Sequence, residues 1–151
     1  MNPTRSGILL VEDDRNDEEL TCRVLRANTP TTHVTVVRDG GEAVDYVFAR
    51  GIHTGRDVMD QPTVVLLDLN LPKMGGLDVL AAIRADERTH LIPVVIMTSS
   101  REEADVLRGY ENGANSYVVK PVRIAEFSDC VKQLGLYWLF ANHTISSEFS
   151  T

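Results

Sequence analysis

Short apolar runs alternate with longer stretches of helical period along this chain, and the alternation recurs five times without an internal sequence repeat. The first run, Ile8-Leu9-Leu10-Val11, passes through Glu12-Asp13-Asp14 into a predicted helix. There Asn16 caps, Glu19 reaches back as its third-position partner, and Leu20, Val24 and Leu25 share a face. Val34 to Val37 reads as the second strand, followed by the Asp39-Gly40-Gly41 turn and a short helix marked by Ala43, Val44, Val47 and Phe48. From Arg50 to Pro62 the pattern dissolves into a loop of about a dozen residues, longer than most connections. Thr63 to Leu67, Pro93 to Met97 and Ser116 to Val119 are the remaining strands. Helices follow them at Gly76 to Asp86, around Val106, Leu107 and Tyr110 with an Asn112-Gly113 stop, and through Ile124, Phe127, Val131 and Leu134. Strands without inside/outside alternation must be covered on both faces, so a doubly wound α/β fold with a parallel sheet follows.

Composition narrows the function classes. The chain has 151 residues, 43% of them hydrophobic, which is one domain able to form a core without disulfide or metal. Lys+Arg 15 against Asp+Glu 22 gives a net charge of -7, which speaks against direct nucleic-acid binding, because phosphate contacts need clustered Lys and Arg. No basic-then-apolar export signal and no long apolar span occur, so a cytoplasmic protein that does not enter membranes is expected. Cys22 and Cys130 lie far apart in helical patterns and read as reduced thiols. The histidines, His33, His53, His90 and His143, form no ligand spacing and read as surface residues.

Four of the five apolar runs end in a chemically loaded side chain: Asp13, Asp68, Thr98 and Lys120. In a parallel sheet these ends share one edge. Ligands of doubly wound sheets bind there, where strand order reverses, so residues 107 positions apart converge on one pocket. Glu12, Asp13 and Asp68 gathered together would repel by roughly 4 kcal/mol per close pair unless a cation sits among them. Oxygen donors without His or Cys suit Mg²⁺, which takes one or two protein carboxylates and keeps waters and phosphate oxygens. The pocket thus reads as one for a phosphoryl group, with Lys120 as a second cation, Thr98 as a hydroxyl donor and Asp68 as the nucleophile. The plainer alternative is a solvated acidic turn before a helix, with caps and loop polar groups at the other ends.

These residues resemble the receiver domain of bacterial two-component response regulators. The resemblance covers about residues 6 to 135. It rests on Leu9-Leu10-Val11-Glu12-Asp13-Asp14, Asp68-Leu69-Asn70-Leu71-Pro72-Lys73-Met74-Gly75-Gly76, Pro93-Val94-Val95-Ile96-Met97-Thr98-Ser99 and Tyr117-Val118-Val119-Lys120-Pro121. Intervals of 30 residues from Asp68 to Thr98 and 22 more to Lys120 fit the family without gaps. The resemblance implies a flavodoxin-like (βα)5 sheet of strand order 2-1-3-4-5, with helices on both faces and here an extended C-terminal helix or arm. It implies that Asp68 accepts a phosphoryl group from the phosphohistidine of a sensor histidine kinase. Asp13 would then bind Mg²⁺ directly, Glu12 through water, and Asn70 through its backbone carbonyl. Thr98 and Tyr117 match the switch pair, Lys120 the lysine on the phosphoryl group, and the Lys120–Pro121 bond is cis in the family pattern. Asn70 and Ser100 hold the positions where the family tunes hydrolysis. Leu71 replaces a frequent methionine and Gly75 a frequent aspartate, and neither change removes a required group.

Phosphorylation would add about -1.5 to -2 charges at Asp68, drawing the Thr98 hydroxyl inward and opening space for Tyr117. A swing from 1:99 to 99:1 needs roughly 5.5 kcal/mol, so such contacts bias a two-state equilibrium across the fourth helix, fifth strand and fifth helix. A half-buried Tyr117 that never moves is the alternative.

The expected organisation is a loosely ordered 1–5, a receiver domain over 6–135 and an extension over 136–151, without an output domain. Leu136-Tyr137-Trp138-Leu139-Phe140 is wholly apolar, and a helix face can hide only some of it, so a homodimer through the last helix and this extension is expected, with intramolecular packing as the alternative. This tail and the Arg50 to Pro62 loop resemble the small response regulators paired with bacterial phytochromes, which implies a light-sensing kinase as partner. Three competing readings remain. A haloacid-dehalogenase-type phosphohydrolase would want an acid where Asn70 stands. A flavodoxin-like flavin carrier would find its phosphate repelled by Glu12-Asp13-Asp14. A receiver-like scaffold that is never phosphorylated would not need the groups that are all present.

Overall fold

The computed structural model describes residues 7–142. The proposed N-terminal segment 1–5, the end of the extension from 143 onward and His143 lie outside the described residues. The elements alternate as β1 (Ile8–Val11), α1 (Arg15–Asn28), β2 (Val34–Val37), α2 (Gly40–Val47), β3 (Val64–Leu67), α3 (Gly76–Ala85), β4 (Val94–Thr98), α4 (Glu103–Glu111), β5 (Ser116–Val119) and α5 (Ile124–Leu136). All strand pairings are parallel and the sheet order is β2-β1-β3-β4-β5, as the resemblance implies.

The uninterrupted apolar strands are explained by two layers. Leu9 and Val11 of β1 point to one face, where they meet Val44 and Val47 of α2 and Val79, Leu80 and Ile83 of α3. Ile8 and Leu10 point to the other, against Cys22 and Leu25 of α1 and Phe127 and Val131 of α5. With a period of two in each strand, both residue sets are buried, and each fully buried large side chain contributes roughly 1.5–3 kcal/mol. Both cysteines are free thiols, Cys22 buried and Cys130 half-buried.

The elements differ from the sequence expectation at several points. Asp14, not Asn16, caps α1: its Oδ1 accepts the Asp17 N–H at 2.9 Å, because β1 ends at Val11 and leaves a turn of only three residues before the helix begins at Arg15. Glu19 therefore has no capping role, since the third position after Asp14 is Asp17. The long connection after α2 is not patternless. It contains a 3₁₀ turn at Gly51–His53 and folds around Tyr46, whose ring carries the Arg56 guanidinium 3.8 Å from its centroid and the His53 ring edge-on at 5.1 Å. His53 is consequently half-buried against Glu42 at 3.1 Å, not a surface residue, whereas His33 and His90 are exposed. At the far end, α5 runs to Leu136 and passes into a π-helical turn, Tyr137–Ala141. Trp138 is buried with Ile8, Cys22 and Phe127, and Leu139 lies partly against them. Tyr137 and Phe140 remain 51% and 67% exposed.

Candidate functional site

Sheet register brings the chemistry together. Val11 lies opposite Leu67 and Thr98 opposite Val119, so Glu12, Asp68 and Lys120 emerge next to one another just past their strand ends. Backbone bonds fix the exits: Asp68 N–H donates to Val11 O at 3.1 Å, and Lys120 N–H donates to Thr98 O at 2.8 Å. Strand order reverses between β1 and β3, which places these ends at the crevice where doubly wound sheets bind ligands.

The Lys120 ammonium is the hub. It donates to Glu12 Oε1 at 2.6 Å, Asp17 Oδ2 at 2.8 Å and Asp68 Oδ2 at 2.9 Å, which uses all three of its N–H bonds. Lys120, Glu12 and Asp68 are buried. Burial alone lowers the lysine's hold on its proton, but the carboxylates of Asp17, Glu12 and Asp68 outweigh it and keep the group above the usual lysine value. Burial likewise pushes Asp68 up, yet Lys120, the Asn70 N–H at 3.1 Å and a small contribution from Thr98 leave it below the ordinary carboxylate value. Glu12 goes the other way, to about 7, because burial and the Asp68 charge exceed what Lys120 and the Asp14 N–H return. Lys120 and the Asn70 N–H thus keep Asp68 ionised despite its burial.

The Thr98 side chain is fully buried and its hydroxyl forms no hydrogen bond of ordinary geometry. A buried hydroxyl with no well-formed hydrogen bond costs stability, so this donor, next to Asp68, suits a stronger acceptor placed there. Tyr117 is half-buried, and its hydroxyl donates to Ser100 O at 3.1 Å. Ser100 in turn donates to Asp105 Oδ2 at 2.6 Å. A cleft of about 580 Å³ lined by Asn70, Ser99, Ser100, Arg101, Glu102 and Asp105 opens on this same edge.

The structure departs from expectation at the Lys120–Pro121 bond and adds detail at Asp13 and Asp17. Glu12 and Asp13 differ in setting: Glu12 is buried on Lys120, whereas Asp13 is exposed to solvent. The Lys120–Pro121 bond is trans, as are all peptide bonds among the described residues; trans is favoured even before proline by about 0.5–1 kcal/mol. Asp17 was not foreseen at all. The only hint is its spacing, one helical turn past Asp14 on the side of α1 nearest the strand ends.

The donor chemistry fits a hard divalent cation. Glu12, Asp13, Asp17 and Asp68 carry four carboxylates against the single Lys120 ammonium, and all are oxygen donors. Among the described residues no three acidic, histidine or cysteine side chains are grouped so as to hold an ion by themselves.

Comparison with known proteins agrees with this geometry. The response regulator receiver domain model matches residues 8–132. The response regulator Rcp1 of Synechocystis is 36% identical over 132 residues, covering 87% of this chain and 88% of that protein. A probable methanogenesis regulatory protein, FilR2 of Methanothrix harundinacea, is 38% identical over 137 residues, covering 91% of this chain and 86% of its own length. The phosphorylated cyanobacterial phytochrome response regulator RcpA superposes with a TM-score of 0.88 at 35% identity, covering 93% of this chain and 99% of that one. The bacteriophytochrome response regulator AtBRR is 42% identical with a TM-score of 0.73, covering 94% and 97%. A Mn²⁺-bound form of Rcp1 is a further structural relative, with a TM-score of 0.87 at 33% identity over 93% of this chain and 99% of its own. Fold, strand-end chemistry and relatives agree, and the chain belongs to the response regulator receiver domain family.

Proposed function

We propose that Asp68 accepts a phosphoryl group from the phosphohistidine of a sensor histidine kinase, in a reaction that needs Mg²⁺. The observation that carries this reading is the convergence of Asp68, Glu12 and the Lys120 ammonium at the strand ends, where Asp68 is buried, accepts from Lys120 at 2.9 Å and from the Asn70 N–H at 3.1 Å, and lies at the switch point of the sheet. In the transfer an Asp68 oxygen forms the new bond to phosphorus as the phosphorus–nitrogen bond breaks, and the imidazole leaves with its electron pair. Lys120 stays within reach of the transferred oxygens, and the Thr98 hydroxyl donates to one of them, gaining the partner it lacks. Glu12, Asp13, Asp68 and the Asn70 carbonyl would hold the ion, which supplies positive charge to the phosphoryl oxygens. Asn70 and Ser100 flank the cleft through which water reaches the product, so they set its lifetime.

This is a signalling role, and turnover is confined to the protein's own phosphoaspartate. The receiver domain over residues 6–135 works in the cytoplasm, and its partner is a bacteriophytochrome kinase, by likeness to RcpA and AtBRR. The extension over 136–151 serves a homodimer: Tyr137 and Phe140 stay exposed beside the buried Trp138, and burying them in a second copy would yield roughly 1.5–3 kcal/mol each.

The test is exposure to acetyl phosphate with Mg²⁺ followed by intact mass. One phosphoryl adduct is expected on the wild type and none on Asp68→Asn, and equal adducts on both would remove Asp68 from the role. Sedimentation of a Tyr137→Ser, Phe140→Ser variant tests the dimer, which fails if the variant sediments as the wild type does.

A further inference from the structure

Asp17 belongs to no part of the chemistry assigned above, yet it holds one of the three bonds of the central ammonium, at 2.8 Å. Its place is built into the start of α1: its own N–H donates to the Asp14 cap at 2.9 Å, and the Asp14 N–H donates to Glu12 Oε2 at 3.2 Å. Glu12, Asp14 and Asp17 therefore form one connected turn facing Lys120.

The three acceptors of Lys120 are not equivalent. Glu12 and Asp68 side chains are 4% and 9% exposed, whereas Asp17 is 31% exposed and stands at the rim. A divalent cation that takes oxygens of Glu12 and Asp68 brings two positive charges beside the ammonium and competes with it for the same carboxylates, so the Lys120 bonds to them weaken. Lys120, itself buried, cannot simply turn to water. The geometry points to Asp17 as a positioning residue that retains the Lys120 ammonium at the rim of the site when a divalent cation engages Glu12 and Asp68. This inference rests on reading the site as cation-dependent.

The experiment is a calorimetric Mg²⁺ titration of the full chain as wild type, Asp17→Asn, Lys120→Met and the double variant. Asp17→Asn is expected to weaken Mg²⁺ binding roughly three- to tenfold, the scale of a partly exposed ion pair. In the Lys120→Met background the same substitution is expected to change the dissociation constant less than about twofold, since its effect runs through the lysine. Asp17→Glu, which keeps the charge, restores binding toward the wild-type value. An equal factor in both backgrounds means that Asp17 acts by its own charge, and no effect in the wild-type background means that it holds nothing; either overturns the role. A wild type that binds no Mg²⁺ overturns the cation-dependent reading itself and this role with it, a distinct result. If Lys120→Met does not fold, the nitrogen-15 resonance of the Lys120 ammonium decides. It should survive Mg²⁺ saturation in the wild type and vanish in Asp17→Asn, and survival in both overturns the role.

Discussion

The Lys120 ammonium reaches Asp68 Oδ2 at 2.9 Å across 52 positions of sequence, and it does so from inside the protein, with both side chains under 10% exposed. A buried ion pair of this kind is costly to break from one side only, because the remaining charge keeps its desolvation penalty without its partner. Lys120→Met leaves Glu12, Asp17 and Asp68 without their shared cation. The expected loss is about 3–5 kcal/mol in urea unfolding without divalent cation, partly recovered by Mg²⁺, which takes the place of the ammonium. A loss below about 1 kcal/mol would mean that the carboxylates relax into solvent.

Gly75 and Gly76 are adjacent and should respond in opposite ways. A Cβ on Gly76 would strike the Asp68 carbonyl and lie 2.7 Å from the Leu69 Cα, both backbone atoms that cannot step aside. Gly76→Ala is expected to cost about 1–3 kcal/mol and to disturb the strand end that carries Asp68. A Cβ on Gly75 meets nothing nearer than 3.9 Å, and this residue is the N-cap of α3 without a side-chain cap bond. Gly75→Asp is therefore expected to be neutral or to stabilise by a few tenths of a kcal/mol. Thermal melts of the two variants separate the cases.

Most of this architecture was legible because β1, β3 and β4 are apolar on both faces and run into a polar residue, so Ile8 to Glu12, Val64 to Asp68 and Val94 to Thr98 announce both sheet and site. What sequence does not announce is which way a side chain turns at a strand end. Glu12 and Asp13 look alike as letters, but backbone alternation buries one on Lys120 and exposes the other. Contacts made by long side chains across unrelated loops were equally invisible. Arg84 of α3 donates to Gly113 O, Ile92 O and Asn115 Oδ1, each at 2.8 Å, and no periodicity encodes that bridge.

Asp86, just past α3, offers a pH signature away from the site. The Arg88 side chain and N–H both bond its carboxylate, and they bring its pKa down to about 2 from 3.8. Because the folded state binds this proton less readily than the unfolded one, the stabilisation is complete above about pH 3.8 and disappears as pH falls through about 2. Carboxyl carbon NMR should give a midpoint near 2 for Asp86, returning toward 3.8 in Arg88→Ala. An unchanged midpoint in that variant would assign the lowering to another group.

Tyr117 ties β5 to the loop that begins α4, through its hydroxyl bond to Ser100 O at 3.1 Å. Its ring also lies against α4, where a Cβ on Gly109 would come 3.1 Å from Tyr117 Cδ2, so this helix sits close only because glycine is there. The same loop carries Ser100, held from the α4 side by its own bond to Asp105 at 2.6 Å, and it follows directly from Thr98. Tyr117 is thus a strut for the segment between Thr98 and α4. Tyr117→Phe removes one donor and leaves the Ser100 carbonyl to water, which should cost about 0.5–1.5 kcal/mol. Hydrogen exchange should quicken at Ser100 to Glu102, while exchange in β1 and β3 stays as in the wild type. If exchange at Ser100 to Glu102 is unchanged, the loop is held by Ser100 and Asp105 and not by the Tyr117 hydroxyl.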